Sequence, residues 1–338
     1  MAGSRIGRLS PALRTVVAKL AQALGLILAV IVLNFSLIHL TPGDPAVVIA
    51  GQSGAGDPDT LAQIRADYGL DEPFATQLVT YVGRVATFDL GESFFFDRPV
   101  TSLIGDRLWP TILLVGTALV FAIVFGVLAG VFTARRPDSP LSHGVTVAAL
   151  VGYSMPVFWT GIMLIILFAS VFKILPISGM HDVEFDGGWF ASWIDVAEHL
   201  VLPALTLGLI YLAQYSRLSR ASMLEVLESD YVRTARSKGL GERSVVYKHA
   251  LRNAIIPVVT IAGLQFGALL SGALLVETVF NWPGLGRLAF DSILRRDTPV
   301  LLGVLLISAV LVIIANLLTD LVYRRIDPRI RVGRLTGG

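Results

Sequence analysis

Residues 109–133 read WPTILLVGTALVFAIVFGVLAGVFT, twenty-five consecutive positions without Asp, Glu, Lys or Arg. The hydrocarbon core of a bilayer, roughly 30 Å thick, is crossed by about 20 apolar residues in a helix. Working outward from this stretch, five more runs of similar length are free of the same four residue types: 20–40, 144–172, 199–216, 254–276 and 300–319. The fold class expected is an all-α integral membrane protein with six transmembrane helices. An even number of spans puts both termini on one side.

Composition agrees with that reading. Of 338 residues, 54% are apolar and 15% charged, against about 25% charged in soluble domains, and the mean hydropathy is +0.72. With no cysteine there is no disulfide framework and no thiolate metal or nucleophile site. The net charge of +2 gives no reason to expect a nucleic-acid partner. Arg5, Arg8, Arg14 and Lys19 precede the first span, whose apolar core exceeds the 7–15 residues of a signal peptide. No A-x-A cleavage site follows, so it reads as a retained signal anchor.

Lys and Arg collect in cytoplasmic loops. By that rule residues 1–19, the turn with Arg135 and Arg136, the segment 217–253 and the tail 320–338 read as cytoplasmic. From Arg217 to Arg252 there are eight Lys and Arg against four Asp and Glu. Segment 41–108 holds ten acids against four arginines, and 176–198 has five acids with no Lys or Arg, so both read as extracytoplasmic. The last outer loop, 277–299, runs against the trend with Arg287, Arg295 and Arg296. Segment 41–108 is long for a connector and is expected to fold: LAQIRADYGL and FATQLVTYVGRVATF have helical periodicity. Phe94, Phe95 and Phe96 are placed at the membrane interface.

Proline refines the spans. Pro156 is expected to kink the third helix, while Pro110, Pro203 and Pro257 are assigned to first turns. Glu277 is read as a solvated helix end, with a gate residue as the alternative. Asp320 and Arg324 are read as an i,i+4 pair at the inner interface.

The charged segment SDYVRTARSKGLGERSVVYKHALRNAIIP, 229–257, interrupts this oily chain. Leu224, Leu227, Tyr231 and Ala235 recur at steps of three and four, which predicts one helix over 218–238. Gly239 is expected to end it in the left-handed conformation, and Gly241 to open a second short helix carrying Val245, Val246, Ala250 and Leu251. On spacing alone, docking to another protein and lying on anionic lipid head groups both remain open.

The segment resembles the cytoplasmic EAA loop of binding-protein-dependent ABC importers, with Arg233, Thr234, Ala235 and Gly239 in the places of its Glu, Ala, Ala and Gly. The first two positions depart from that pattern, and its Leu-Pro pair becomes Leu251-Arg252. These departures resemble the branch of dipeptide, oligopeptide and nickel importers, as do TPGDPA, DLGESF, RPV, MPVFWTG, LPISG and ETVFNWPGLGRL elsewhere in the chain. The order of these fragments is similar to that of the first of the two permease subunits.

That resemblance implies a type I permease fold in a bacterial cytoplasmic membrane. It also implies a homologous second permease, two ATPase subunits at the cytoplasmic loop, and an extracytoplasmic solute-binding protein. Di- or oligopeptides are the implied cargo, with nickel chelates or another small solute as the alternative. The implied docking residues are Arg233, Thr234, Ala235, Arg236, Lys238, Gly239, Leu240, Gly241, Arg243 and Val246. Leu240 and Val246 would grip, while Arg236, Lys238 and Arg243 would steer. No G-x-x-x-x-G-K-[ST] loop is present. This chain is therefore not expected to hydrolyse ATP itself; no catalytic residue, metal or cofactor is expected in it, and the resemblance implies ATP with Mg²⁺ on the partner ATPases.

Polar residues within the spans are candidates for the solute path: Asn34, Ser36, His39, Tyr153, Ser154, Gln265, Ser271 and Asn316. Helix packing is their competing role. An ion-coupled secondary transporter would place charges inside its spans and show a repeat between halves, and neither is found. A membrane-embedded enzyme would need a motif such as H-E-x-x-H, which is absent.

Overall fold

A computed structural model describes residues 11–40, 44, 46–47, 50, 57–93, 95–182 and 187–326. Arg5, Arg8 and Phe94, and the side chains of Arg14, Asp320 and Arg324, lie outside the described part. The helices are α1 Pro11–Leu40, α2 Pro58–Tyr68, α3 Phe74–Ala86, α4 Val100–Arg135, α5 Pro140–Ser154, α6 Val157–Leu164, α7 Trp189–Leu227, α8 Asp230–Ser237, α9 Glu242–Ser244, α10 Leu251–Ala254, α11 Ile256–Val279, α12 Leu285–Arg295 and α13 Thr298–Ile326. Two π-helical turns, Ile165–Val171 and Val245–Ala250, follow α6 and α9. Among the described residues one antiparallel pair, β1 Glu92–Ser93 with β2 Arg98–Pro99, precedes α4.

Among the described residues, four helices are long and apolar enough to cross a membrane: α1, α4, α7 and α13. Two bent pairs raise the number to six if each counts as one span. The first is α5 with α6 and its π turn, bent by 111°. Pro156 therefore does more than kink a helix. The backbone is extended at Met155 and Pro156 (ψ 137° and 136°), as expected for a residue preceding proline, and the helix restarts at Val157. The second pair, within α11, bends by 54° between Gly263 and Gln265.

Pro257 does occupy a first turn, but Pro110 and Pro203 are helix-interior residues. The reason is that α4 and α7 extend well beyond their charge-free cores, α4 starting at Val100 and α7 at Trp189. Charged residues in these extensions interrupt the apolar run without interrupting the helix.

The chain divides into two compact units, Met1–Ile104 with Ser292–Leu317, and Gly105–Asp291 with Leu318–Gly338. In the first, α1 packs on α3. The Phe35 ring lies 5.1 Å from Phe74 and 5.8 Å from Tyr81. Asp57 caps α2, accepting from the Asp59 amide, and Gly69 closes it at φ 59°. The buried Asp297 carboxylate accepts from Ser93 Oγ, and Arg295 lies 3.7 Å above the Phe95 ring. Burial pushes the Asp297 carboxyl above its usual range, against the opposing hydrogen bond from Ser93.

In the second unit α7 is the central helix, with α5, α6 and α11 packed on it. Gly126 and Gly130, four apart on α4, meet it closely. A Cβ on Gly126 would stand 2.9 Å from the Leu212 carbonyl oxygen, and one on Gly130 would stand 2.7 Å from that of Ser216. Small residues at this spacing let backbones approach where lipid supplies no hydrophobic drive between helices.

Glu277 is not a solvated helix end: it is 0% exposed. Its Oε1 accepts from Thr111 Oγ1 at 2.7 Å and its Oε2 from the Arg287 amide at 3.0 Å. Thr111 Oγ1 in turn accepts from the Leu285 amide at 2.7 Å, and Trp282 Nε1 donates to the Pro110 carbonyl at 2.9 Å. The GLG sequence at 284–286 carries the chain from the turn into α12, folding back over this carboxyl. Glycine is needed there because a Cβ on Gly284 would come within 2.1 Å of Glu277.

Candidate coupling elbow

α7 stops at Leu227 because Ser229 turns extended (φ −67°, ψ 150°) and its Oγ donates to the Val226 carbonyl at 2.5 Å. Serine hydroxyls compete in this way for helix carbonyls. The single helix expected over 218–238 is thus two helices broken at Ser229, with α8 beginning at Asp230. At the other end of α8, Gly239 has φ +77° and its amide donates to the Arg236 carbonyl at 2.9 Å. Gly241, extended, precedes α9. The chain forms an elbow of two helical arms about Gly239.

The inner face of the elbow is apolar and shut. Val232, Ala235, Val245, Val246, Ala250 and Ala254 are buried in one cluster with Val131, Tyr215 and Met223. The elbow is therefore wedged into the same core as α4 and α7, and a push on one is transmitted to the other. This corrects the assignment of Val246 as a gripping residue: it is 0% exposed and faces inward. Ala235 is likewise buried, and serves to seat α8.

The outer face carries the rest. Arg233, Thr234, Arg236, Lys238, Gly239, Leu240, Gly241 and Arg243 are exposed. Tyr231, Leu240 and Tyr247 present large side chains among these cations. Tyr231, assigned above to the apolar stripe with Ala235, turns outward instead, and Tyr247 carried no signal in the sequence.

Two braces hold the arms together. Arg236 Nη2 contacts Glu242 Oε1 at 2.9 Å across the Gly239 turn, and Asn253 Nδ2 donates to Tyr231 Oη at 2.7 Å. The hydrogen bond from Arg236 lowers the Glu242 carboxyl below its ordinary range, and the same bond raises the guanidinium. Both partners are half exposed, so the pair fixes geometry more than it adds stability. A cavity of about 320 Å³ lies beside this pair, lined among others by Arg135, Arg136, Leu227 and Glu228.

The path candidates are shared between the two units, Asn34, Ser36, His39 and Asn316 in the first and Tyr153, Ser154, Gln265 and Ser271 in the second. Asn34 is buried and donates to the Leu302 carbonyl at 3.0 Å, a packing role. His39 bonds Gln77 at 2.8 Å, and Ser36 and Ser271 bond their own helix backbones. Gln265 donates to Gln214 at 2.9 Å. Tyr153, Ser154 and Asn316 are exposed. Ser154 lines a cavity of about 460 Å³ at the 155–156 break, beside Pro156 and Trp159.

Residues 122–332 match the family described as binding-protein-dependent transport system inner membrane component, and residues 12–115 match its N-terminal counterpart. The chain belongs to this family. The di/tripeptide transport system permease protein DppB of Pseudomonas aeruginosa is 44% identical over 92% of this chain and 98% of its own length. The dipeptide permease protein DppB of Escherichia coli K12 is 41% identical over 94% and 99%. In fold, the chain resembles an inward-facing MetNI methionine ABC transporter, with a TM-score of 0.54 at 18% identity over 67% of this chain and 96% of that one.

The family member described here is thus a multi-pass membrane protein with the type I ABC importer permease fold. It is a permease subunit, and ATP hydrolysis belongs to a separate subunit. Membership implies an ATPase and a solute-binding protein as partners.

Proposed function

We propose that this permease passes dipeptides and short oligopeptides inward from an extracytoplasmic solute-binding protein. Its partners are a homologous second permease and two ATPase subunits, which bind ATP and Mg²⁺. Both termini and the elbow are cytoplasmic, and segment 41–108 faces outward with its acidic excess toward the binding protein. The peptide cargo is supported by the full-length similarity to dipeptide permeases.

The observation that carries the mechanism is the elbow itself, apolar and seated inside, cationic and tyrosine-bearing outside. Closure of the ATPase pair would displace the docked arms as a rigid body and rotate α4 and α7 with them. Arg233, Lys238 and Arg243 steer the approach, while Leu240, Tyr231 and Tyr247 fill apolar recesses.

Gly239→Val tests the docking. A side chain at positive φ costs about 1–2 kcal/mol, roughly tenfold in an equilibrium. Membrane insertion should persist while ATPase co-purification and ATP-driven dipeptide uptake in proteoliposomes fall by about that factor. Unchanged co-purification and uptake would overturn the docking role. The chain has no cysteine, so single cysteines at Lys238 and Asp59, labelled with an impermeant maleimide in whole cells, test sidedness directly. Asp59→Cys should label and Lys238→Cys should not.

A further inference from the structure

The five histidines are scattered in sequence, yet the fold brings two of them to one carboxylate. Asp195, 6% exposed in the first third of α7, accepts from His181 Nδ1 at 3.0 Å and from the Asp182 amide at 3.3 Å. His199, one turn further along α7, has Nδ1 2.9 Å from the Asp195 carbonyl oxygen and 3.1 Å from its Oδ1. In both rings Nδ1 meets oxygen acceptors, so Nδ1 carries the proton. That leaves Nε2 as the nitrogen turned toward any further partner.

The His199 side chain is 2% exposed, and its Nε2 faces Asp182 Oδ1 at 3.9 Å. That separation is too long for the hydrogen bond an Nε2–H would make. His199 Nε2 and a carboxylate oxygen thus face each other beyond hydrogen-bond distance, an arrangement that a shared cation satisfies. Asp182, Asp195 and His199 each offer one donor atom within 4.8 Å of the other two. Metal–ligand lengths of about 2.0–2.2 Å for zinc separate ligands by roughly 3–4 Å, so small side-chain movements close the set. The contact of His199 Nδ1 with the Asp195 backbone carbonyl is the kind of outer interaction that orients a metal-bound imidazole.

We propose that Asp182, Asp195 and His199 form a site for a divalent transition metal of the zinc type. His181 acts on it as a positioning residue through Asp195. An imidazole with two carboxylates suits zinc, nickel or cobalt, whereas magnesium and calcium prefer oxygen alone. Bound metal would tie Asp182, which lies 76% exposed before α7, to the buried face of that helix.

The test uses the full importer complex in nanodiscs, with Zn²⁺ titrated calorimetrically and Co²⁺ as an absorption probe. One site per copy of this chain is expected, with no competition from millimolar Mg²⁺ or Ca²⁺. His199→Gln and Asp182→Asn should each remove that site, and His181→Gln should weaken it about tenfold or more. Thermal unfolding in chelator checks that the variants fold. If His199→Gln does not, the exposed Asp182→Asn decides alone. Absence of saturable zinc binding, or binding by folded Asp182→Asn equal to that of the parent, would overturn the proposal. Binding is measured without transport, so the outcome is independent of the peptide reading.

Discussion

Thr111→Val isolates the buried latch at the end of α11. Valine matches threonine in shape but removes the one hydroxyl that serves two partners, donating to Glu277 Oε1 and accepting from the Leu285 amide. Thr111 is 1% exposed and Glu277 0%, so water does not replace either bond without rearrangement. Each orphaned buried group costs about 1–3 kcal/mol, which puts the substitution near about 4 kcal/mol. Thr111→Ser keeps both bonds and loses one methyl, about 1 kcal/mol. With about 2–4 °C lost per kcal/mol in a chain of this size, the valine variant should melt roughly 10 °C lower and the serine variant a few degrees lower. Tryptophan fluorescence reads the transition in the purified complex, because Trp282 is buried beside the latch and bonded to Pro110. Equal small shifts for both variants would refute the reasoning, since the methyl and not the hydroxyl would then be what matters.

Other outcomes follow from the same geometry. Gly130→Val would press Cβ to within 2.6 Å of Ser219 Cβ and 2.7 Å of a backbone oxygen. It should separate α4 from α7 and abolish detergent-stable protein, whereas Gly116→Ala, with open space around it, should not. Because burial raises the folded-state pKa of Asp297, its contribution to stability is fully present below about pH 3.9. That contribution is lost as pH rises through the raised value. Asp297→Asn, which cannot ionise and caps a helix equally well, should flatten this slope in melting temperatures measured from pH 4 to 8. Because Arg236 depresses the Glu242 pKa, the bridge across the Gly239 turn should hold at neutral pH and weaken as pH falls through the depressed value. Glu242→Gln should remove that dependence from ATPase co-purification while leaving insertion intact.

Much of the architecture was legible because lipid imposes a length and a composition on anything that crosses it. Six charge-free runs coincide with four long apolar helices and two bent pairs, and the positive φ of Gly239 followed from a glycine placed after a basic helix end. Helix ends were less legible. α7 continues to Leu227 through charged residues, and stops where one serine hydroxyl takes a carbonyl at Ser229. Periodicity carried straight across that break, because Leu224, Leu227, Tyr231 and Ala235 keep helical spacing on both sides of it.

Chain order and apolar length alone determined that this protein lives in a bilayer, and set one cationic segment, 229–257, apart from its long apolar runs. Tertiary structure decided which side of each residue matters. Val246 turns into the core and Tyr247 out of it, Glu277 is enclosed by a loop that closes from ten residues away, and Thr111 meets that carboxylate from another helix. These are outcomes of long-range packing, in which a polar group removed from water takes whatever partner the fold brings within about 3 Å, and no local pattern in the chain encodes that partner.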